Sequence, residues 1–406
     1  MTAPSLLTYI AAALGLQLSI AASVAWWRRS NRQPPSQGTY SAAPPRSGAW
    51  PGWREFRVER RDFADAAHTQ CSFFLTPVDS APLAAFEPGQ FLTFQLPVAE
   101  NRRIIRCYSL SDRPAPNHFR VTVKRVLAPS DRPDLPAGEG SRYFHEQLKA
   151  GDTVQVRAPA GRFVAVDDPR SPVVLLAGGI GITPLLCMLR SGLLAEPARQ
   201  VHLFYGVRNG GELAFRDELL ELVRLHANFH LHLSFSKPTA QDLLDRDYQH
   251  AGHIDVDLLR RTLPSGRHRF YVCGPPTMLA SLLAGLAAWG VPPDDVHHEA
   301  FGPASLQAVP GHASAPVSSS AVGLEVVFSR SERTLVWDGA EANLLEFAER
   351  HGIPVESGCR SGSCGSCEVG LASGSVRYAE PPEREIRPGS CLLCVATPTT
   401  PLKLEV

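Results

Sequence analysis

Val173-Val174-Leu175-Leu176-Ala177-Gly178-Gly179-Ile180-Gly181-Ile182-Thr183-Pro184 joins three signals that decide the architecture around it. The first five residues form an unbroken apolar run, as a parallel strand buried on both faces does. A glycine-rich turn follows, and then a helical stretch from Pro184 to Gly192. Strand, glycine turn and helix together open a βα unit whose turn can come close to a ligand. The turn is not the G-x-G-x-x-G dinucleotide fingerprint, because Pro184 stands where the third glycine would be. No acidic residue follows at the usual ribose-binding distance either.

Toward the C-terminus the same rhythm continues. Val201–Tyr205 reads as a strand, Phe215–His226 as a helix, His230–Phe235 and Phe270–Val272 as strands. Strands alternating with helices indicate a doubly wound α/β domain over 169–301. The Cys273-Gly274-Pro275-Pro276 turn ends the last of those strands, at the carboxyl edge of the sheet where ligands bind.

Toward the N-terminus the pattern is different. Phe91–Leu96, Phe119–Val123 and Thr153–Val156 are short strand-like runs between Pro/Gly breaks, which predicts a small antiparallel barrel over 53–168. Arg106-Cys107-Tyr108-Ser109 follows one of its strands. An arginine can fork onto phosphate oxygens, a tyrosine can stack on a flat ring, and a serine can hydrogen-bond a ring nitrogen. Gly138-Glu139-Gly140-Ser141 reads as a helix start suited to pyrophosphate.

Composition sets the outer bounds. The chain of 406 residues suggests two or three domains. Lys+Arg and Asp+Glu both number 40, a balance that argues against a nucleic-acid binder. Hydrophobic residues at 44% and charged residues at 20% fit globular domains rather than a disordered chain.

The extended apolar run, 6–27, contains no Asp, Glu, Lys or Arg. As a helix it would be roughly 33 Å long, enough to cross a hydrocarbon core of about 30 Å. Trp26 and Trp27 close it and Arg28, Arg29 and Arg32 follow, so the positive-inside rule keeps the C-terminal side in the cytoplasm. A cleaved secretory signal would need a basic leading region, which the run lacks. The expectation is a single-pass transmembrane helix contacting membrane lipid, with 28–52 as a Pro/Ser/Gly-rich tether and the catalytic domains in the cytoplasm.

A second linker, 302–321, leads into a compact final domain over 322–406, with a hairpin-like start and a helix near Asn343 to Gly352. Five of the nine cysteines lie there. Cys359, Cys364 and Cys367 follow the C-x4-C-x2-C spacing of a plant-type [2Fe-2S] cluster. Gly358, Gly362 and Gly365 can adopt positive φ, and Ser361, Ser363 and Ser366 are small enough to bring backbone N–H groups near sulfide. Cys364/Cys367 with Cys391/Cys394 also form two C-x2-C pairs that could bind zinc. That alternative leaves Cys359 and the Gly/Ser loop unexplained.

This last region resembles plant-type ferredoxin domains, of α+β, β-grasp-like fold. The Leu393-Cys394-Val395-Ala396 ending looks like the family's fourth-ligand segment, so the resemblance implies Cys359, Cys364, Cys367 and Cys394 as iron ligands, with Cys391 a spare. The segments R-x-Y-S, G-G-x-G-x-T-P and C-G-P-P, in that order, resemble the ferredoxin–NADP reductase superfamily. The resemblance implies that Arg106, Tyr108 and Ser109 hold a flavin and that Gly138, Gly140 and Ser141 bind its phosphates. Gly179, Gly181 and Thr183 would cradle the nicotinamide nucleotide, with Cys273 and Gly274 beside the nicotinamide and Ser109 and Cys273 nearest the hydride path. His298-Glu299-Ala300-Phe301 looks like the family's E-x-F segment, which favours FAD over the FMN of the phthalate dioxygenase reductase type and places Glu299 and Phe301 near the flavin. Arg208 and Lys237 follow two strands and could bind a 2′-phosphate, an inclination toward NADPH over NADH.

The implied activity is an NAD(P)H-dependent oxidoreductase that feeds a protein electron acceptor. The anchor points to a membrane di-iron desaturase or hydroxylase. A Rieske oxygenase, a haem monooxygenase and a hybrid-cluster protein are the other acceptors. A redox-sensing or binding module without sustained turnover is the alternative of a different class.

Overall fold

In the computed structural model, the described residues are 49–99, 102–128, 136–166, 168, 170–301, 323–378, 382–383 and 386–406. The expected transmembrane helix at 6–27, the tether at 28–52 up to residue 48, and the linker at 302–321 lie outside them. Among the described residues no helix is long and apolar enough to cross a membrane.

Six strands form the first sheet: β1 (Arg54–Phe63), β2 (Gln70–Pro77), β3 (Phe91–Ala99), β4 (Arg102–Ser109), β5 (Phe119–Lys124) and β6 (Thr153–Ala160). Their order is β4-β3-β6-β1-β2-β5, all antiparallel. A bridge between Leu110 and Val121 joins the two edges, closing the barrel the sequence predicts. β1 shows why these residues make strands. Arg54, Phe56 and Val58 turn inward while Glu55, Arg57 and Glu59 face water, the period of two that a half-buried strand needs. The barrel core gathers Phe56, Phe73, Phe94, Phe119 and Phe144, all essentially without exposure. A short helix α1 (Glu139–Arg142), continued by one wider turn over Tyr143–Gln147, brings Phe144 there.

The second sheet is wholly parallel. It contains β7 (Val173–Gly178), β8 (Val201–Val207), β9 (Phe229–Phe235), β10 (His250–Ala251), β11 (Arg269–Gly274) and β12 (Val296–Ala300), in the order β10-β9-β8-β7-β11-β12. The direction of winding reverses between β7 and β11, which makes the crevice at their carboxyl ends the topological switch point. Helices α2 (Ile182–Ala195) and α3 (Arg216–Leu225) cover one face through Leu185, Leu189, Leu193 and Leu219. Helices α4 (Val256–Thr262) and α5 (Pro276–Trp289) cover the other through Leu258, Leu259, Leu279 and Leu286. Asp255 caps α4 by accepting from the Leu258 N–H at 2.7 Å.

The third unit starts with the hairpin β13 (Leu324–Phe328) and β14 (Arg333–Trp337), followed by helix α6 (Leu344–Arg350), capped by Asn343. β15 (Glu368–Ser373), β16 (Val376–Tyr378), β17 (Ser390–Leu392), β18 (Ala396–Pro398) and β19 (Leu402–Leu404) complete it. The five-stranded sheet β14-β13-β19-β15-β17 is mixed, with β13 and β19 parallel, and α6 packs Leu345, Phe347 and Ala348 onto the core around Trp337. A mixed sheet with one packed helix agrees with the α+β expectation.

Candidate functional site

The alternation of side chains along β4 organises the site. An added Cβ on Gly140 would stand 2.9 Å from Cγ of Arg106 and 3.0 Å from the Tyr108 hydroxyl, so the glycine turn lies directly on those two residues. Ile105 and Cys107 point the other way. A Cβ on Gly358 would meet Ile105 Cγ2 at 3.2 Å, Cys107 Sγ at 3.3 Å and Cys364 Sγ at 3.0 Å. Arg106 and Tyr108 therefore face α1, and Ile105 and Cys107 face the cysteine loop.

Arg106, Tyr108 and Gly140 lie together in the fold. Tyr108 packs edge-on against Phe144 at 4.8 Å and Phe94 at 5.7 Å, and desolvation holds its phenol above the ordinary range. Its ring is thus fixed before any ligand arrives. Gly138 and Ser141 serve the turn itself. The Gly138 N–H donates to Val126 O at 2.9 Å, and the Ser141 hydroxyl donates to Gly138 O at 2.8 Å while accepting from the Val126 N–H at 3.0 Å. The first-turn N–H groups of Glu139, Gly140 and Ser141 are the ones a helix start leaves for a phosphate.

Ser109 donates to Oε2 of Glu299 at 3.3 Å. Glu299 sits on β12 directly beside Cys273 of β11. Desolvation pushes the Glu299 carboxyl up to about 8, against the lowering effect of the Ser109 hydrogen bond; Cys359 and Glu383 add to the rise. At neutral pH this carboxyl holds its proton. Cys273 has no exposure and belongs to the α/β core, so it meets the crevice through its backbone. Phe301 stands 36% exposed just beyond β12.

At the switch point the chains approach as closely as glycine allows. A Cβ on Gly181 would lie 2.2 Å from Cys273 O, and one on Gly178 would lie 2.4 Å from Met278 Sδ and 2.6 Å from Pro275 Cδ. Gly179 takes φ of +52°, where a side chain is strained. The Thr183 hydroxyl donates to Ile180 O at 3.0 Å, which locks the turn. Arg208 and Lys237 adjoin, the Lys237 N–H donating to Arg208 O at 2.8 Å. Arg208 also pairs with Glu212 at 2.5 Å, and Glu212 with Lys124 at 3.3 Å. Lys124, at the end of β5, reaches to 4.0 Å of the Gly179 Cβ position and was not predicted. No local sequence signal marks it, because the barrel and the nucleotide turn meet only in the fold.

In the cysteine loop the N–H groups of Ser361, Ser363 and Cys364 point at Cys359 Sγ at 3.4, 3.4 and 3.2 Å. Those of Cys359 and Ser366 point at Cys364 Sγ at 3.3 and 3.5 Å. Gly362 and Gly365 have positive φ as expected, but Gly358 does not; its lack of a side chain admits Cys107 and Cys364 instead. Arg360 takes the third positive φ. Cys359 and Cys364 face each other through reciprocal N–H···Sγ contacts, and the turn that carries Cys394 adjoins Cys367, whose O accepts from the Leu393 N–H at 3.2 Å. Among the described residues no three His, Cys, Asp or Glu side chains converge on a single ion. Two thiol pairs fringed by N–H groups fit a centre of two irons and fit a lone zinc poorly. Cys391 is fully buried on β17 opposite Val369, in the core of the domain. The loop is bound to the barrel by Arg157, whose Nη1 donates to Cys364 O at 2.6 Å; elsewhere in the same domain Glu383 accepts from the Gly161 N–H at 3.2 Å and pairs with Arg162 at 2.9 Å.

Three family models match the chain: the oxidoreductase FAD-binding domain over 68–164, the oxidoreductase NAD-binding domain over 175–283 and the 2Fe-2S iron-sulfur cluster binding domain over 327–399. A flavohemoprotein of Halalkalibacterium halodurans is 35% identical over 261 residues, 63% of this chain and 62% of that protein. One of Rhizobium meliloti is 34% identical over 265 residues, 65% of this chain and 64% of that protein. The chain thus spans less than two thirds of these relatives. Among solved structures, the FAD/NAD-binding domain of nitric oxide dioxygenase from Vibrio cholerae is 30% identical, with a TM-score of 0.55, covering 62% of this chain and 99% of that one. Phthalate dioxygenase reductase, described as a modular structure for electron transfer from pyridine nucleotides to [2Fe-2S], is 26% identical with a TM-score of 0.52 and covers 87% of this chain and 98% of that one.

Proposed function

We propose that this chain, which belongs to the ferredoxin–NADP reductase superfamily and joins FAD-binding and NAD-binding domains to a 2Fe-2S domain, is the membrane-held reductase of a di-iron desaturase or hydroxylase. It is an NAD(P)H-dependent oxidoreductase with FAD and a [2Fe-2S] cluster as cofactors. When bound, the flavin converts a two-electron hydride donor into the one-electron supply that the cluster needs.

The observation that carries the reading is β4, whose opposite faces touch the α1 turn and the cysteine loop. In this reading Arg106 and the α1 N–H groups hold flavin phosphate, and Tyr108 lines the ring site. Ser109 hydrogen-bonds at the reacting edge, with its hydroxyl oriented by Glu299, which keeps a proton on its carboxyl at neutral pH. Gly178, Gly181 and Gly274 let the two turns of the switch point close on each other, so that Gly179, Gly181 and Thr183 form the backbone cradle for the nucleotide, with Cys273 on β11 behind it. Cys359, Cys364, Cys367 and Cys394 would hold the two irons, the first two on one side and the last two on the other. Arg208 and Lys237 offer two cations to a 2′-phosphate, which favours NADPH; the kcat/KM ratio for the two nucleotides decides this.

Anaerobic stopped-flow mixing with NADPH tests the order of transfer. Flavin absorbance should fall first and cluster absorbance second. A cluster that stays oxidised beside a reduced flavin would overturn the reading. The choice of acceptor rests on the apolar run at 6–27, since a membrane anchor raises the effective concentration toward a membrane partner. Deleting residues 1–30 should abolish coupled turnover in membranes while leaving ferricyanide reduction intact. Unchanged coupled turnover rejects the membrane partner.

A further inference from the structure

The second residue of the Arg106–Ser109 segment has no role in the flavin site, and its position gives it another. Cys107 lies on the face of β4 turned toward the cysteine loop, half-buried, with its sulfur 3.4 Å from the Thr93 hydroxyl. Its sulfur faces that of Cys364 across the gap that Gly358 leaves. Both sulfurs crowd the place where Gly358 lacks a side chain, at 3.3 and 3.0 Å. Arg157 fixes the loop in this position from strand β6, two strands from β4, by holding Cys364 O at 2.6 Å. A cysteine with a hydroxyl on one side and an iron-ligand sulfur on the other is a placed donor rather than core filling.

We propose that Cys107 is a positioning residue for electron transfer, its S–H donating a hydrogen bond to Sγ of Cys364 and so tying the flavin-binding strand to the iron pair. The inference deepens the reading above and rests on Cys364 being an iron ligand. A ligating thiolate carries no proton, so the only proton between the two sulfurs belongs to Cys107, and Cys107 must be the donor. A hydrogen bond to a ligand sulfur draws off negative charge and favours the reduced cluster, which carries one more electron. No bond is made or broken at Cys107. One electron passes into the cluster, and the thiol keeps its proton throughout. The same contact gives β4 a continuous covalent and hydrogen-bonded route from Tyr108 and Ser109 toward the cysteine loop.

The test uses the full-length holoprotein purified without oxygen, with Cys107→Ala, Cys107→Ser and Thr93→Val. Iron and sulfide content, the electron paramagnetic resonance of the reduced cluster, and its midpoint potential are measured for each. Cys107→Ala should retain iron and sulfide but shift the flavin–cluster electron equilibrium about tenfold toward the flavin, a fall of about 59 mV for one electron. Its reduced cluster should show altered g-values. Cys107→Ser, which keeps a donor, should recover most of both effects. Thr93→Val removes the hydroxyl that orients the thiol and should move the potential in the same direction by about threefold. A Cys107→Ala protein with wild-type potential and g-values overturns the inference. Should that variant fail to load, a Thr93→Val protein with unaltered potential overturns it equally. A wild-type protein without iron and sulfide overturns the ligand assignment instead, so the two failures are distinguishable.

Discussion

Replacing Gly181 with alanine perturbs the nucleotide site by a single methyl group. Gly181 has an ordinary helical φ of −60°, so alanine carries no conformational penalty there. The penalty is spatial. The new Cβ would lie 2.2 Å from Cys273 O, 2.5 Å from its carbonyl carbon and 2.8 Å from the Gly274 nitrogen, all backbone of the central strand β11. To reach even 3.0 Å the turn must retreat by about 0.8 Å, carrying the first turn of α2 with it. Overpacking usually costs about 1–3 kcal/mol, and an overlap with fixed backbone belongs at the top of that range. The apparent melting temperature should fall by roughly 6–12 °C. A displacement near 1 Å at a substrate-positioning turn should lower kcat/KM for NADPH by roughly a hundredfold, mostly through binding and alignment. The control is Gly192→Ala in the same helix, where an added Cβ meets nothing within 4 Å. That substitution should raise stability by about 0.5–1 kcal/mol and leave turnover unchanged. Thermal unfolding and steady-state ferricyanide reduction, measured on both variants, suffice. If Gly181→Ala matches the wild type in melting temperature and kcat/KM, the close approach of the turn to β11 is refuted, and the switch-point site with it.

Ser109→Ala removes the hydroxyl that donates to Glu299 and should slow flavin reduction by about ten- to a hundredfold, the worth of one hydrogen bond to a polar reacting group, with the cluster spectrum unaltered; an equal rate would remove Ser109 from the site. Cys394→Ser should abolish the visible cluster bands, whereas Cys391→Ala should keep them and cost about 1–2 kcal/mol of stability as a small core truncation; the opposite pattern would reassign the fourth ligand. Burial first, and neighbouring imidazoles second, hold His202 and His232 near 4, below the ordinary value of 6.5. The unfolded chain therefore takes up protons that the folded one refuses as pH falls from about 6.5 to about 4, so stability is complete above this window and lost through it. His232→Leu should flatten the fall in melting temperature across that range, and an unchanged slope would show that His232 contributes nothing to it.

What could be read from the sequence were demands confined to a few consecutive residues. Val173–Ala177 is apolar throughout because both of its faces are covered, and the glycines after it exist because β11 passes within contact of them. Cysteine spacing carried the same kind of information, since the loop wraps around its own sulfurs. What could not be read were relations between remote segments. Lys124 reaches the nucleotide turn only because β5 ends beside it, and Arg157 reaches Cys364 O across 207 positions. Gly358 shows the difference most clearly. Its sequence context suggested a torsional role, yet its torsion is ordinary, and the reason for a glycine is the sulfur of Cys107 on another domain. Alternation on β4 would have placed Ile105 and Cys107 opposite Arg106 and Tyr108, but not said what they face.

The choice between Cys391 and Cys394 turns on the same distinction. Their C-x2-C spacing serves a zinc site or an iron–sulfur site equally well, and spacing alone does not rank them. The fold separates them by backbone conformation. Cys391 lies in β17, in register with Val369, and the strand drives its side chain into the apolar core. The chain then leaves the strand in a tight turn over Leu393–Val395, and that turn, held by the Leu393 N–H donating to Cys367 O at 3.2 Å, brings Cys394 round to the Cys367 side. A tetrahedral zinc would need Cys391 to turn out of the core and join Cys364, Cys367 and Cys394 about one point, which would break the β15–β17 pairing. Two thiols on each of two irons need no such rearrangement, because Cys359 and Cys364 already form the other pair. The geometry of a three-residue turn thus distinguishes a two-iron centre from a one-zinc centre where the spacing of the cysteines does not.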